Sequence, residues 1–382
     1  MSKKLINRVI IVVKMNFNHQ QQFHIVRGLF QSEPKTVNVV PTYLKAGVGT
    51  SVNHSTQQAL KAAYGEHIER STFLRDSSYI DKEKIPAFNL LTGEPSLIST
   101  EKILLYRGEK MKNRHTYADS CGAGFHYHSF NSIQNAFLEF FERQSLIFNW
   151  LTESGGTFVD VKKIDDLSVK EVIANVYQYV DEISCFNISL HKNVYVILTL
   201  GFGKYHFGIG SKASWNLFDA IKGSLDEMLH NFTPYYTKHH LEDYHPQKLN
   251  MDVNEGEIEN DPLFYSLHFH LTQTSESLRE HYQYLFLKSD RMHEDEFSRI
   301  EIVVDQQIFM EKLKEVAGDL KWELLCCFLK NTILDKAKVV KVFSNQGYPH
   351  MNTTLFNPLD YEISKLSRTG QFPNAYQLIP FP

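Results

Sequence analysis

Between Asn131 and Trp150 the apolar residues Ile133, Ala136, Phe137, Phe140 and Phe141 fall three and four positions apart, the period of a helix with one buried face. This predicts a helix over about Asn131 to Trp150, with Asn131-x-x-Gln134 as a cap-like start. An earlier helix is expected from about Ser55 to Leu74, opened by the capping-box pattern Ser55-x-x-Gln58, and a third from about Ser214 to His230. The apolar run Val194 to Leu200 reads as a buried strand, turned by Gly201-Phe202-Gly203-Lys204 into a second strand, Tyr205 to Ile209. Another strand is expected near the N-terminus, Arg8 to Val13. In the second half, helix-like runs (Gln307 to Val316, Glu323 to Asn331) alternate with strand-like ones (Ile300 to Val304, Lys338 to Val342). The acidic, glycine-containing stretch Asn250 to Pro262 reads as a long exposed loop. The pattern is α+β, or mixed α/β, and no clean linker divides it.

Composition narrows the function classes. The chain has 382 residues, 42% of them hydrophobic and 22% charged, so it can bury a large core. With a net charge of −4 and no long basic run, a general nucleic-acid or anionic-membrane role has no electrostatic support. Cys121, Cys185, Cys326 and Cys327 show no C-x-x-C spacing and read as reduced thiols. The apolar run Val9 to Val13 is too short for a signal-peptide core or a membrane span, and a cytoplasmic location is expected.

The candidate chemistry lies in a motif that occurs twice. Glu66-His67-Ile68-Glu69-Arg70 and Glu139-Phe140-Phe141-Glu142-Arg143 both read E-x-x-E-R, and Gly49 and Gly122 keep the same 73-position register, as do Ala63 and Ala136. Positions three and four apart share one helix face, so each motif projects two carboxylates and a guanidinium to one side. If the two faces converge, four carboxylates repel one another unless cations sit between them. Hard oxygen ligands favour Mg²⁺, and the arginines suit phosphate oxygens. The plainer reading of each motif is a solvated helix face with an internal ion pair, Glu66 to Arg70 and Glu139 to Arg143. The in-register repeat and the phenylalanines around Glu139 argue against it.

Other patterns are weaker. His126-Tyr127-His128 and His268-Phe269-His270 place two imidazoles on one face of an extended backbone but lack further ligands at zinc spacing. Asp252-x-Asn254-x-Gly256 departs from the calcium-loop pattern and reads as solvated acidic loop. Gly201-x-Gly203 reads as a turn rather than a phosphate cradle, and Cys121 has no identified base for a nucleophilic role.

The paired motifs resemble those of YcaO-type proteins, which bind ATP and activate backbone amides. Gly65 to Arg70 looks like the family's first helix motif, and Ser120-x-Gly122 with Glu139-x-x-Glu142-Arg143 looks like its second. Gly208-x-Gly210 leading to Glu227 looks like its later nucleotide-contacting helix. The resemblance implies a YcaO-type fold in one unit, 1–382, with an N-terminal segment (1–40), the nucleotide-binding motifs (41–235), a C-terminal α+β part (236–371) and a proline-ended tail (372–382). It implies ATP and Mg²⁺ as cofactors, with Glu66, Glu139 and Glu142 as metal ligands. Glu69, Arg70, Ser120, Arg143 and Lys222 would lie around the nucleotide, and Glu227 would act on the phosphate side.

Leu378-Ile379-Pro380-Phe381-Pro382 is similar to the proline-rich end of members that form azoline rings, and makes the Pro382 carboxylate a candidate proton acceptor. The implied reaction is ATP-dependent cyclodehydration of Cys, Ser or Thr in a ribosomally made precursor peptide. The implied partners are that peptide, a leader-binding subunit and a flavin-dependent dehydrogenase within a microcin-type synthase, which could hold a homodimer of this chain. Asn131, Gln144, Gly223 and His230 depart from the family pattern, where Glu, Asp, Arg and Gln are usual; Lys222 is taken to replace the charge absent at 223. Those departures make a non-catalytic, peptide-holding scaffold the alternative, alongside thioamide or amidine formation as other chemistries of the family.

Overall fold

Each sheet of this protein ends at a strand whose free edge is followed by a long helix, and that repetition organises the molecule. The computed structural model describes residues 11–13, 21–26, 35–41, 47–74, 83–105, 119–204, 206–240, 269, 272–293, 296–297, 303–331 and 333–382. The first sheet is an antiparallel meander of β1 (Ile11–Val13), β2 (Gln21–Val26), β3 (Lys35–Pro41) and β4 (Gly49–Asn53). Helix α1 (Thr56–Leu74) follows β4 and closes Ala59 and Ala63 over Phe23, Val37 and Val39. Its start is fixed by Ser55, whose Oγ accepts from the Gln58 N–H at 3.4 Å.

Strands β5 (Lys84–Asn89) and β6 (Pro95–Ser99) form a hairpin, and β7 (Ala123–His126) leads into α2 (Ser129–Thr152). Apolar residues surround α2, with Phe137, Phe141, Leu146, Ile147, Trp150 and Leu151 all buried, so it runs through the main core rather than over a surface. The expected cap at Asn131 is not made. The helix begins at Ser129 after His128 with no side-chain cap, and Asn131, already inside the first turn, has its Nδ2 3.5 Å from His126 Nε2.

A second sheet has the order β11-β10-β9-β8-β12: β8 (Thr157–Val159), β9 (Glu182–Asn187), β10 (Tyr195–Phe202), β11 (Phe207–Ser214) and β12 (Asp290–Arg291). The β10–β11 hairpin matches the strand–turn–strand order, but Gly201 and Phe202, expected in the turn, belong to β10 and pair with Gly208 and Phe207, and β11 continues to Ser214. Helix α3 (Leu167–Val176) packs beside α4 (Leu217–His240). Helix α4 starts later than Ser214 because Asn216 Oδ1 accepts from the N–H groups of Phe218 and Asp219, at 2.7 and 3.2 Å.

After α5 (Ser275–His281), α6 (Gln283–Lys288) and α7 (Gln306–Leu320), β13 (Leu325–Leu329) and β14 (Lys338–Phe343) complete a third sheet of order β6-β5-β13-β14-β7. The helix expected over Glu323 to Asn331 is therefore a strand. Leu325, Cys326 and Cys327 are all buried between β5 and β14, and an apolar run buried on both faces has no period to separate helix from strand. Residues 344–382 run over this core as turns and 3₁₀ segments. Among the described residues no helix is long and apolar enough to cross a membrane. The expectations for Arg8 to Ile10, Tyr205, Asn250 to Pro262, His268, His270 and Ile300 to Ile302 lie outside the described residues.

Candidate functional site

The edge strands β4, β7 and β11 each carry their following helix, α1, α2 and α4. Glycine permits the close approach. A Cβ at Gly49 would lie 1.9 Å from the Ala63 carbonyl oxygen, and one at Gly210 would lie 2.1 Å from that of Ser224; Gly124 meets Ser132 in the same way. Each helix also touches the strand of another unit: α1 touches β7, α2 touches β11 and α4 touches β4, so the three units close into a ring.

The glutamates of the three helices face an open cavity at the centre of that ring. It measures about 430 Å³ and is lined by Glu66 and Glu69 of α1, Glu139, Glu142 and Arg143 of α2, Glu227 of α4 and Lys212 of β11, with Gly65, Ala62 and Gly124 leaving room between them. That volume is in the range of small-molecule and cofactor sites.

The carboxylates also tie off the strand edges. Glu66 Oε2 accepts from the Thr50 N–H at 2.5 Å, and Glu142 Oε2 accepts from the Ala213 N–H at 2.7 Å, so a free β edge positions each acid. Arg70 reinforces Glu66, with Nη2 2.7 Å from Oε1 and Nη1 3.2 Å from the Val48 carbonyl. His230 and Thr50 share a 3.0 Å hydrogen bond that joins α4 to β4. Arg143 stands 3.9 Å from both Glu142 and Glu227, and the buried Phe381 ring lies 5.0 Å from its guanidinium carbon.

Five carboxylates face three cations, Lys61, Arg143 and Lys212, in this lining. Burial, followed by repulsion from Glu66, pushes Glu69 up to about 8. Burial, then Glu142, pushes Glu227 up to about 7. Burial, then Glu69, raises Glu139 well above the carboxylate range. Burial alone would lower Arg143, but the charges of Glu142 and Glu227 outweigh it and hold the guanidinium firmly protonated. A cavity short of positive charge, with its acids driven towards protonation, fits added divalent cations. Among the described residues no group of three His, Cys, Asp or Glu side chains forms a ready metal cage. An ion here would take one or two protein carboxylates and complete its shell from phosphate and water, the habit of Mg²⁺ at nucleotides.

The structure thus brings together Glu66, Glu69, Glu139, Glu142, Arg143 and Glu227 of the residues singled out in the sequence. Arg70 stands behind Glu66 rather than in the lining. Ser120 lies in the turn before β7, where its carbonyl accepts from the Ala123 N–H at 3.1 Å, and does not line the cavity. Lys222 does not line it either, and its charge acts on Asp166 and Asp226. Helical spacing explains this, since position 223 shares a face with Glu227 and position 222 shares one with Asp226. Pro382 is half-buried next to Phe381, outside the lining residues. The thiol of Cys121 donates to Asp119 Oδ2 at 3.0 Å and is raised well above its usual range by burial and that carboxylate, so it is not a poised nucleophile.

Lys212 was not among the candidates. A second register points to the unit that carries it, though not to the lysine itself: Gly47 and Gly208, Gly49 and Gly210, Glu66 and Glu227, and the starts of α1 and α4 at Thr56 and Leu217 all lie 161 positions apart.

Solved structures share this fold. A chain of the E. coli microcin synthetase McbBCD complex superposes with a TM-score of 0.68 at 17% identity, covering 98% of this chain and 100% of that one. The same complex with pro-MccB17 bound gives 0.68 at 18% identity with the same coverage. A YcaO protein from Methanopyrus kandleri bound with AMPPCP and Mg²⁺ gives 0.62 at 13%, covering 85% of this chain and 86% of that one. At these identities the likeness is one of fold. No curated protein matches the chain by sequence. Residues 81–327 match the model of the YcaO cyclodehydratase family, which binds ATP and Mg²⁺, and because that match spans more than half of the 382 residues, the chain belongs to the YcaO family.

Proposed function

We propose that this chain catalyses ATP-dependent cyclodehydration of Cys, Ser or Thr in a ribosomally made precursor peptide, giving thiazoline or oxazoline rings. The observation that carries the reading is the convergence of carboxylates from three helices on one cavity beside the docked Phe381. In the reaction the substrate thiol or hydroxyl attacks the preceding backbone carbonyl carbon and loses its proton, the carbonyl oxygen departs, and the amide nitrogen gives up its proton as the ring C=N forms. Mg-ATP, when bound, supplies the phosphoryl group with which that oxygen leaves as phosphate.

The residues then divide the work. Glu66, Glu139 and Glu142 would hold Mg²⁺, each ion taking one or two of these carboxylates, and Arg143 would meet phosphate oxygens. Glu69 faces the nucleotide in the protonated form that its burial favours. Glu227, with its pKa raised to about 7, is suited to moving a proton on the phosphate side. The Pro382 carboxylate accepts the proton of the attacking group, its approach set by Phe381 packed against Arg143. Catalysis on this reading is mostly positioning and charge stabilisation.

The chain acts in the cytoplasm as one subunit of a peptide-modifying synthase, with a leader-binding subunit and a flavin-dependent dehydrogenase as partners. Calorimetric titration with Mg-ATP tests the site. The parent chain is expected to bind, and folded Glu66→Gln and Glu139→Gln variants to bind at least about 10-fold more weakly, as loss of a charged contact implies. With partner and precursor present, the parent is expected to remove one water per ring. Full ring formation by both variants would refute the assignment.

A further inference from the structure

We infer that Lys212 binds the phosphate end of the nucleotide, and that position 223 is glycine because any side chain there would occupy the lysine's path. The inference rests on the Mg-ATP reading and adds a residue and its steric partner to it. In β11 every residue from Phe207 to Ser211 is buried, as is Ala213, whereas Lys212 between them is exposed. Its stem lies against α4: a Cβ at Gly223 would come 2.5 Å from Lys212 Cγ, 3.0 Å from Cδ and 3.1 Å from Cβ. One helical turn beyond Gly223 is Glu227, so the lysine runs along α4 towards the acids of the cavity it lines.

Two further observations separate Lys212 from the other cations. Arg143 is already shared between Glu142 and Glu227, at 3.9 Å each, whereas among the described residues Lys212 makes no ion pair within 4.0 Å. Its charge is nevertheless felt by Glu69, Glu139 and Glu227, on three different helices, while that of Lys61, exposed on α1, is not among the main charges acting on them. An ammonium central to the acids but bonded to none is free to meet an anion. In the β4–α1 unit, 161 positions earlier, Ser51 and Ala62 take the two places. The lysine–glycine pair is therefore not repeated in the β4–α1 unit.

The test is calorimetry with Mg-ATP and with AMP on the parent chain, Lys212→Met, Lys212→Gln, Gly223→Ala and the double variant Lys212→Met/Gly223→Ala, each checked for folding by circular dichroism. Both lysine variants are expected to bind Mg-ATP about 10- to 100-fold more weakly with AMP affinity unchanged. Gly223→Ala is expected to weaken Mg-ATP in the parent background and to add nothing once Lys212 is gone. Unchanged Mg-ATP affinity in both lysine variants, or equal losses for ATP and AMP, would overturn the assignment while leaving the nucleotide site standing. A folded parent that fails to bind Mg-ATP would overturn the nucleotide reading and this inference with it.

Discussion

Glu69 and Glu227 show how single residues in this cavity wait for a ligand. Both have pKa values raised above the unfolded carboxylate value of about 4.3, to about 8 and about 7. The folded chain therefore holds more protons than the unfolded one across that interval. Its stability is fully present below the unfolded pKa and is lost as pH rises through about 7 and about 8. His67, His230 and His350 are lowered by burial, so they titrate below this window. Without ligand, the thermal midpoint is expected to fall between about pH 6.5 and about pH 8.5, and Mg-ATP is expected to flatten the profile; a flat ligand-free profile would contradict the picture. Most of these acids were legible in the sequence, because E-x-x-E on a helix fixes which side chains share a face. What Arg70 and Lys222 do was not legible. Arg70 is drawn to its own helix neighbour and to the Val48 carbonyl, and Lys222 falls one position off the face that carries Glu227.

At the scale of the element, the unit is an edge strand with a glycine, a connection and a helix laid on that glycine. Gly210→Ala forces Cβ to within 2.1 Å of the Ser224 carbonyl and 2.6 Å of the Met228 nitrogen, both backbone atoms that move only with the helix. It is expected to destabilise the chain by about 1–3 kcal/mol in urea unfolding. Gly318→Ala on α7, where a Cβ meets nothing within 4 Å, is expected to stabilise it by about 0.5–1 kcal/mol. The 73-position register pairs α1 with α2 through their shared motif. The 161-position register, which pairs α1 with α4, is harder to see because only Glu66 of the E-x-x-E-R motif has a counterpart, in Glu227. Helices α1 and α2 were readable from caps and spacing, while β13 was not, since burial on both faces erased its alternation.

Across the whole molecule, the last forty residues return to the core from which α2 rises. Gln144 donates to the Tyr348 carbonyl at 2.8 Å and accepts from the Tyr348 N–H at 2.7 Å. Tyr282 donates to the Pro380 carbonyl at 3.4 Å, and Ile379 and Phe381 are buried. The tail's apolar residues suit burial, but its place beneath Arg143 depends on contacts hundreds of residues apart that no local pattern encodes. Phe381→Ala is expected to cost about 3 kcal/mol of stability. Phe381→Leu is expected to restore most of that while leaving Arg143 without its ring, which would appear as a raised KM for ATP in the assembled synthase.

The ring of contacts α1 to β7, α2 to β11 and α4 to β4 gives the cavity a second character. It is the joint at which three sheets meet through their free edges, with like-charged acids pressed together at its centre. A seated cation and nucleotide would act as the pin of that joint, so that filling the site and fastening the three layers to one another are a single event.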